Sequence, residues 1–316
     1  MKHIKLCKVL RGAKAGCLSA LMIIIFMMYS CGDGKTDSVK PIVMQTDFGL
    51  KDGAVSAMKG VAFSVDPAIP LFDLTHEIPA YNIWEAAYRL SQTVPYWPAG
   101  TVFVSVVDPG VGTDRQSVVA RTKDGHYIVT PDNGTLTLLA DEIGIASLRR
   151  IDEAVNRRAG SSGSYTFHGR DVYAYTAAKL AAGKIRYEEV GPELKRDVVK
   201  IPYQRAVYSG NIIKGSIPIL DIQYGNAWTN IPDSLIREAG VKPGDTLAIH
   251  VYHKDSLIYE DSIPFVHTFG EVPEGKTLGY LNSLMNFSIA INMGSLAAEK
   301  KVGAGMDWTV TVVKSH

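Results

Sequence analysis

Residues 101–107 read TVFVSVV, an apolar run interrupted only by small hydroxyl side chains. A strand with this text is buried on both faces, and such strands belong to sheets covered by helices on either side. The surrounding text fits that frame. Residues 42–45 and 70–74 are short strand-like runs, while 52–65 and 82–94 carry apolar residues at helical spacing. Residues 117–121 and 127–130 add further strands, and 171–182 (DVYAYTAAKLAA) read as a helix ending at Gly183. Alternation of this kind predicts an α/β sandwich around a largely parallel sheet over residues 41–200.

Residues 194–208 mix charges with Pro202 and have no period, which marks a boundary. Beyond it helical spacing nearly vanishes. Residues 212–224, 246–253, 262–267, 278–281, 287–292 and 308–313 read as short strands punctuated by Gly and Pro. That pattern predicts a C-terminal all-β, barrel-like domain over 208–316.

The first thirty residues do not belong to either domain. Lys2, Lys5, Lys8, Arg11 and Lys14 stand without an acid and precede the apolar run 17–30, shorter than the ~20 residues of a membrane span. The run ends Ser30-Cys31, similar to a bacterial lipobox. The expectation is a lipoprotein signal peptide at 1–30, lipidation of Cys31 after cleavage, and a tether at 31–40. An uncleaved N-terminal anchor is the alternative; in both cases the protein is exported and membrane-anchored, on the periplasmic or cell-surface side. The only cysteines are Cys7, Cys17 and Cys31, so the processed chain has no disulfide and no thiolate metal site. Loss of five of the 33 basic residues leaves 28 against 32 acids, a formal −4. A mildly acidic chain without a basic cluster argues against nucleic acid as a partner.

In open α/β sheets, ligands bind beyond the carboxyl ends of the strands. Four polar positions follow apolar runs in this way: Asp47 in TDFGL, Asp108 in VVDPGVGTDR, Asp132 and Asn133 in PDNGT, and His168 in YTFHGRD. Each has a plainer reading. Asp47 beside Phe48-Gly49 fits a turn, Pro131–Gly134 is a turn sequence, and a lone buried histidine is more often structural. The Asp-Phe-Gly triplet has no kinase partner motifs, and DPGVGT lacks the lysine of a phosphate-cradling loop. Convergence favours function: an acid, a base and the cation Arg115 on loops that share one sheet edge would line a single pocket. A metal held by His168, Asp171, Asp108 and Asp47 is the rival, but neither a helical His pair nor an Asp-rich cluster is present, so no metal is expected.

The long segments TDFGLKDGAVSAMKGV, DLTHEIPAYNIWEAAYRL, PAGTVFVSVVDPGVGTDR, TPDNGTLT and YTFHGRDVYAYTAAKLAAG, with LDIQYGNAWTNI and LNSLMNFSIAINMGS, resemble the S-adenosylmethionine hydroxide adenosyltransferases, relatives of the fluorinases and chlorinases. The resemblance covers roughly residues 41–315 and implies hydrolysis of S-adenosyl-L-methionine to adenosine and L-methionine without a cofactor. It implies catalytic roles for Asp108, Arg115 and His168. It also implies substrate contacts from Asp47 (ribose hydroxyls), Tyr81 (nucleoside), Asp221 (methionine ammonium), Asn226 (adenine) and Ser283 (methionine carboxylate). A homotrimer follows from the same source, with each active site between the α/β domain of one subunit and the β domain of the next. Halogenating relatives carry another residue where Asp108 stands and a serine near Gly169, so this chain favours water over halide. Ser288 and Asn286 depart from the family text and put adenine contacts of their loop in doubt. Two alternatives stay open: a non-catalytic nucleoside-binding lipoprotein, and a halide-using 5′-adenosyl transferase.

Overall fold

The computed structural model describes residues 39–315. The expected leader, Cys31 and the tether up to residue 38 lie outside them. The first sheet has six strands, in the order β2 (Leu71–Thr75), β1 (Ile42–Thr46), β3 (Val102–Val106), β5 (Tyr127–Pro131), β4 (Ser117–Thr122) and β6 (Ile145–Arg150). β2, β1, β3 and β5 are parallel, and β4 runs antiparallel between β5 and β6. Period-two alternation divides each central strand between two cores. Ile42, Met44, Val104 and Val129 meet Met58 and Ala62 of α1 (Ala54–Val65) and Ala177 and Ala178 of α5 (Tyr175–Ala181). Val43, Phe103 and Ile128 face the other way, onto Leu90 of α2 (Ile83–Thr93) and Leu139 of α3 (Thr137–Glu142). Helices therefore cover both faces, as the buried run at 101–107 requires.

Local chemistry sets the helix starts. The Asp52 carboxylate accepts the Ala54 N–H at 2.8 Å, and the Asn82 side chain accepts the Glu85 N–H at 3.1 Å. The helix expected at 171–182 begins earlier and wider, with a π-helical turn over Gly169–Ala174 before α5. A short helix, α4 (Glu153–Asn156), lies between β6 and that turn.

The β part does not close into a barrel. It forms two antiparallel sheets: β13 (Thr277–Leu281), β14 (Asn286–Ile291), β10 (Asn226–Pro232) and β9 (Ile219–Asp221) make one. β12 (Ser256–Pro264), β11 (Thr246–His253), β15 (Trp308–Lys314), β8 (Ile212–Ser216) and β7 (Val207–Ser209) make the other. The run at 212–224 is not one strand, because Pro218 has no N–H to continue the ladder. The chain leaves the five-stranded sheet after Ile217, whose N–H still bonds the Trp308 carbonyl at 2.9 Å, and enters the other as β9. Ile213, Leu247, Ile249 and Val312 from one sheet pack on Ala227, Phe287 and Ile289 from the other. Helices do not vanish here either, since α6 (Asp233–Glu238) and α7 (Leu296–Lys300) cap this core. Trp84 of α2 ties the two parts: its ring packs with Ile219 and its Nε1 donates to the Pro218 carbonyl at 3.0 Å.

Candidate active site

Beyond the carboxyl ends of β1 and β3 lies a cavity of about 250 Å³, lined by Asp47, Tyr81, Asp108 and His168 with the Phe48 and Phe167 rings. The loop after β3 turns back on itself through the bonds Val111 N–H to Asp108 carbonyl and Thr113 N–H to Gly110 carbonyl. That brings Arg115 side-on to Asp108. Nε donates to Oδ1 at 2.9 Å, and Nη2 lies 2.6 Å from Oδ2 without the alignment of a second hydrogen bond, so the ion pair is closed by one hydrogen bond. A closed ring of hydrogen bonds surrounds the pair: Arg115 donates to Ser117 Oγ (3.0 Å), Ser117 meets Tyr173 Oη (3.2 Å), and Tyr173 donates to Asp108 Oδ2 (3.3 Å). Burial works against the Arg115 charge, but Asp108, with Tyr173 and Glu153, outweighs it and raises the guanidinium pKa. Burial, reinforced by Asp108, drives the Tyr173 phenol far above its ordinary range, so it stays a neutral donor.

His168 is buried and stands at the head of the π-helical turn; residues 165–167 before it form no strand, contrary to expectation. Its Nε2 faces an Arg157 nitrogen at 3.2 Å and lies 3.6 Å from Glu153 Oε1, while Nδ1 has no partner among the described residues. Burial, together with the Arg115 and Arg157 cations, lowers the His168 pKa against the pull of Glu153 and Asp108.

Asp47 Oδ2 accepts the Tyr81 N–H at 2.9 Å. Tyr81 holds φ +68°, unusual for a bulky residue, and its ring is 72% exposed. A relay that runs from the buried Thr46 and His76 out to the surface braces the Asp47 loop. Thr46 Oγ accepts the Phe48 N–H and bonds His76 Nδ1 (2.9 Å), and His76 Nε2 meets Asp73 (3.0 Å), which holds Lys59 (2.6 Å).

Other candidates separate from this cavity. Asp132 accepts the Val199 N–H and pairs with Arg196, and Asn133 donates to the Val107 carbonyl, so the PDNGT loop is a brace, as its turn reading implied. Asp171 is fully buried on Arg170. Asp221 and Ser283 line a different cavity of about 760 Å³, between the α/β part and the β part, that shares no wall residue with the first. Asn226 sits opposite Asp221 across the β9–β10 hairpin and donates to its carboxylate at 3.4 Å. The hairpin depends on Gly225, at φ +72°, where an added Cβ would lie 2.0 Å from Ser295 Oγ. Ser288 is buried and accepts from Asn282, whose Oδ1 also takes the Leu284 and Asn286 N–H groups.

Sequence reasoning passed over Tyr173, Ser117, Arg157 and Glu153. The Glu153–Arg157 spacing signals a helical ion pair, but nothing in the text ties that pair to a histidine eleven residues on.

Residues 42–191 match the SAM hydroxide adenosyltransferase N-terminal domain, and residues 215–309 match the C-terminal domain of the same family. The chain belongs to this family. It is 35% identical over 242 residues to the (R)-S-adenosyl-L-methionine hydrolase of Methanocaldococcus jannaschii, covering 75% of this chain and 83% of that protein. It is 28% identical over 299 residues to a fluorinase of an Actinoplanes species, covering 87% and 97%. A crystal structure of an uncharacterized conserved protein from Thermotoga maritima superposes with a TM-score of 0.79 at 33% identity, over 86% of this chain and 99% of the other. Asp108 and His168 line the 250 Å³ cavity, and Arg115 reaches it through its pair with Asp108.

Proposed function

We propose that this protein hydrolyses S-adenosyl-L-methionine, with water or hydroxide attacking the ribose 5′ carbon to release adenosine and L-methionine. The observation that carries this reading is the Asp108–Arg115 pair and His168 at one small cavity beside Asp47. The substrate brings its own leaving group, a sulfonium, so no acid is needed to expel methionine. The enzyme has to hold one water in line with the C5′–S bond and raise its nucleophilicity in a site shielded from bulk solvent. Asp108 and His168 can orient that water, and Arg115 favours hydroxide character. Asp47 has the two oxygens needed to take both ribose hydroxyls, and the exposed Tyr81 ring is free to pack on the nucleoside.

Asp221, Asn226 and Ser283 would serve the methionine and adenine ends of the substrate from a neighbouring subunit in a homotrimer. Their separation from the Asp108 cavity within one chain supports that division. No metal or organic cofactor enters this scheme. The leader text supports a lipid anchor at Cys31 and a position outside the cytoplasm; Cys31→Ser should abolish acylation, and an acylated, processed variant would refute the lipobox.

The decisive experiment incubates the purified protein with S-adenosyl-L-methionine and follows products by chromatography. Adenosine and methionine in equal amounts are expected. No turnover would leave a nucleoside-binding protein, and a 5′-halogenated adenosine formed with halide would make it a halogenase; either overturns the hydrolase reading.

A further inference from the structure

We propose that Arg157 is a positioning residue that holds His168 neutral with its proton on Nδ1, so that His168 donates a hydrogen bond to the nucleophile and does not take its proton. The inference rests on the hydrolase reading for the identity of that nucleophile. The assignment itself comes from counting donors. A guanidinium has five N–H groups and no acceptor. In Arg157 all five have a direction: Nε and one N–H of Nη2 go to Glu153 Oε2 (3.1 and 2.5 Å). Nη1 faces the Ser161 and Ser164 carbonyls (3.4 and 3.2 Å). The remaining N–H of Nη2 is the one that meets His168 Nε2 at 3.2 Å.

Nε2 is therefore the acceptor, since Glu153 Oε1, at 3.6 Å, stands beyond hydrogen-bond distance for a proton on it. A proton there, in either the other neutral tautomer or the imidazolium, would set donor against donor. The proton is left on Nδ1, which is buried without a partner among the described residues on a side chain that walls the Asp108 cavity. The groups facing the ring from its neighbours are Glu153 of α4 and Arg157 just after it, Asp108 and Arg115 of the loop after β3, Tyr173 of the π-helical turn, and Tyr165. The two cations among these are each paired with a carboxylate, Arg115 with Asp108 and Arg157 with Glu153, so the neutral ring donates to the nucleophile among balanced charges. Hydroxide accepts the Nδ1–H bond, its oxygen forms the bond to C5′, and the C5′–S pair leaves with sulfur as the methionine thioether. The proton that distinguishes hydroxide from water has gone to solvent beforehand.

Histidine-selective ¹⁵N labelling reads the tautomer directly, with the His168 signals identified by their loss in His168→Asn. A single Nδ1-protonated form, unchanged from about pH 5 to pH 8 where free imidazole titrates, is expected. Arg157→Met should release the ring, so that it titrates in this window, and Arg157→Lys should restore part of the bias. Protonation on Nε2, or titration with Arg157 in place, would overturn the assignment. In turnover, His168→Asn keeps an N–H near the Nδ1 position but cannot act as a base. It should lose about tenfold or less, whereas His168→Ala should lose ~10²–10³-fold, as for a missing preorganised donor. Equal losses in the two variants would sink the donor role. The NMR result does not depend on turnover, so failure of the hydrolase reading and failure of this one are separable.

Discussion

The Tyr173 hydroxyl illustrates how a residue outside the expected set shapes the site. It donates to Asp108 Oδ2 while Ser117 and Arg115 complete the ring around it. A hydrogen bond to a charged group contributes about 1.5–3 kcal/mol. Tyr173→Phe should therefore lower kcat by roughly ten- to a hundredfold with little change in KM, measured by steady-state release of adenosine. Alanine at Asp108 or Arg115 should cost ~10²–10⁴-fold in turnover, and at His168 the ~10²–10³-fold of a missing preorganised donor. Because all three act on one water, a double variant should resemble the worse single one, and additive losses would separate their roles. Asp47→Ala should differ, raising KM strongly through loss of the ribose contact.

Two elements hold these residues in register. In the π-helical turn, a Cβ added at Gly169 would stand 3.3 Å from the Phe48 ring and from Val106 Cγ1. Gly169→Ser places a side chain there. Overpacking of this kind costs about 1–3 kcal/mol. The variant should melt several degrees lower in calorimetry, and it should bind substrate more weakly as Phe48 is pushed into the cavity. Unchanged melting and KM would mean that Phe48 yields freely. The second element is the loop after β1, braced through Thr46, His76 and Asp73. His76→Leu removes the ring partner of the buried Thr46 hydroxyl, which keeps only the Phe48 N–H, a cost of about 1–3 kcal/mol. Loss of that brace should raise KM more than it lowers kcat, since Asp47 sits one residue beyond Thr46.

At the scale of the molecule, Asp47, Tyr81, Asp108 and His168 line one cavity and Asp221 and Ser283 another, and one chain keeps the two apart. If subunits share a site, Asp108→Ala and Asp221→Ala chains, each inactive alone, should recover measurable activity when refolded together. A mixture as inactive as its components would confine the site to one chain. The fold should also respond to acid in two stages. Burial lowers the pKa of His168 and His126, so the unfolded chain binds more protons from their folded pKa values up to about 6.5. Stability should start to fall as pH drops below about 6.5, and level off below the folded values. Asp141 is buried too, yet Lys200, Tyr203 and Arg205 lower its pKa overall. Its contribution is present above about 3.9 and lost as pH falls through the lowered folded value. Melting temperatures across this range should trace both losses.

The text of this chain determined whatever depends on near neighbours. Apolar runs at 42–45 and 101–107 become central strands, because period two and burial on both faces are local properties. Asn82 caps α2 and Asp52 takes the first N–H of α1, each through its own side chain, and the long motifs around Asp108 and His168 carry the family. Tertiary structure decided what depends on distance. A proline at 218 could be read, but its passing of the chain from one β sheet to another, in place of a barrel, required knowing which strands lay alongside. Arg157 and His168 meet because α4 and the π-helical turn fold onto one loop, and a donor count becomes possible only once five N–H groups have directions. Asp132 and Asn133, placed beside strand ends by their sequence, turn away to brace the chain because Arg196 and the Val199 N–H reach Asp132 and the Val107 carbonyl takes Asn133.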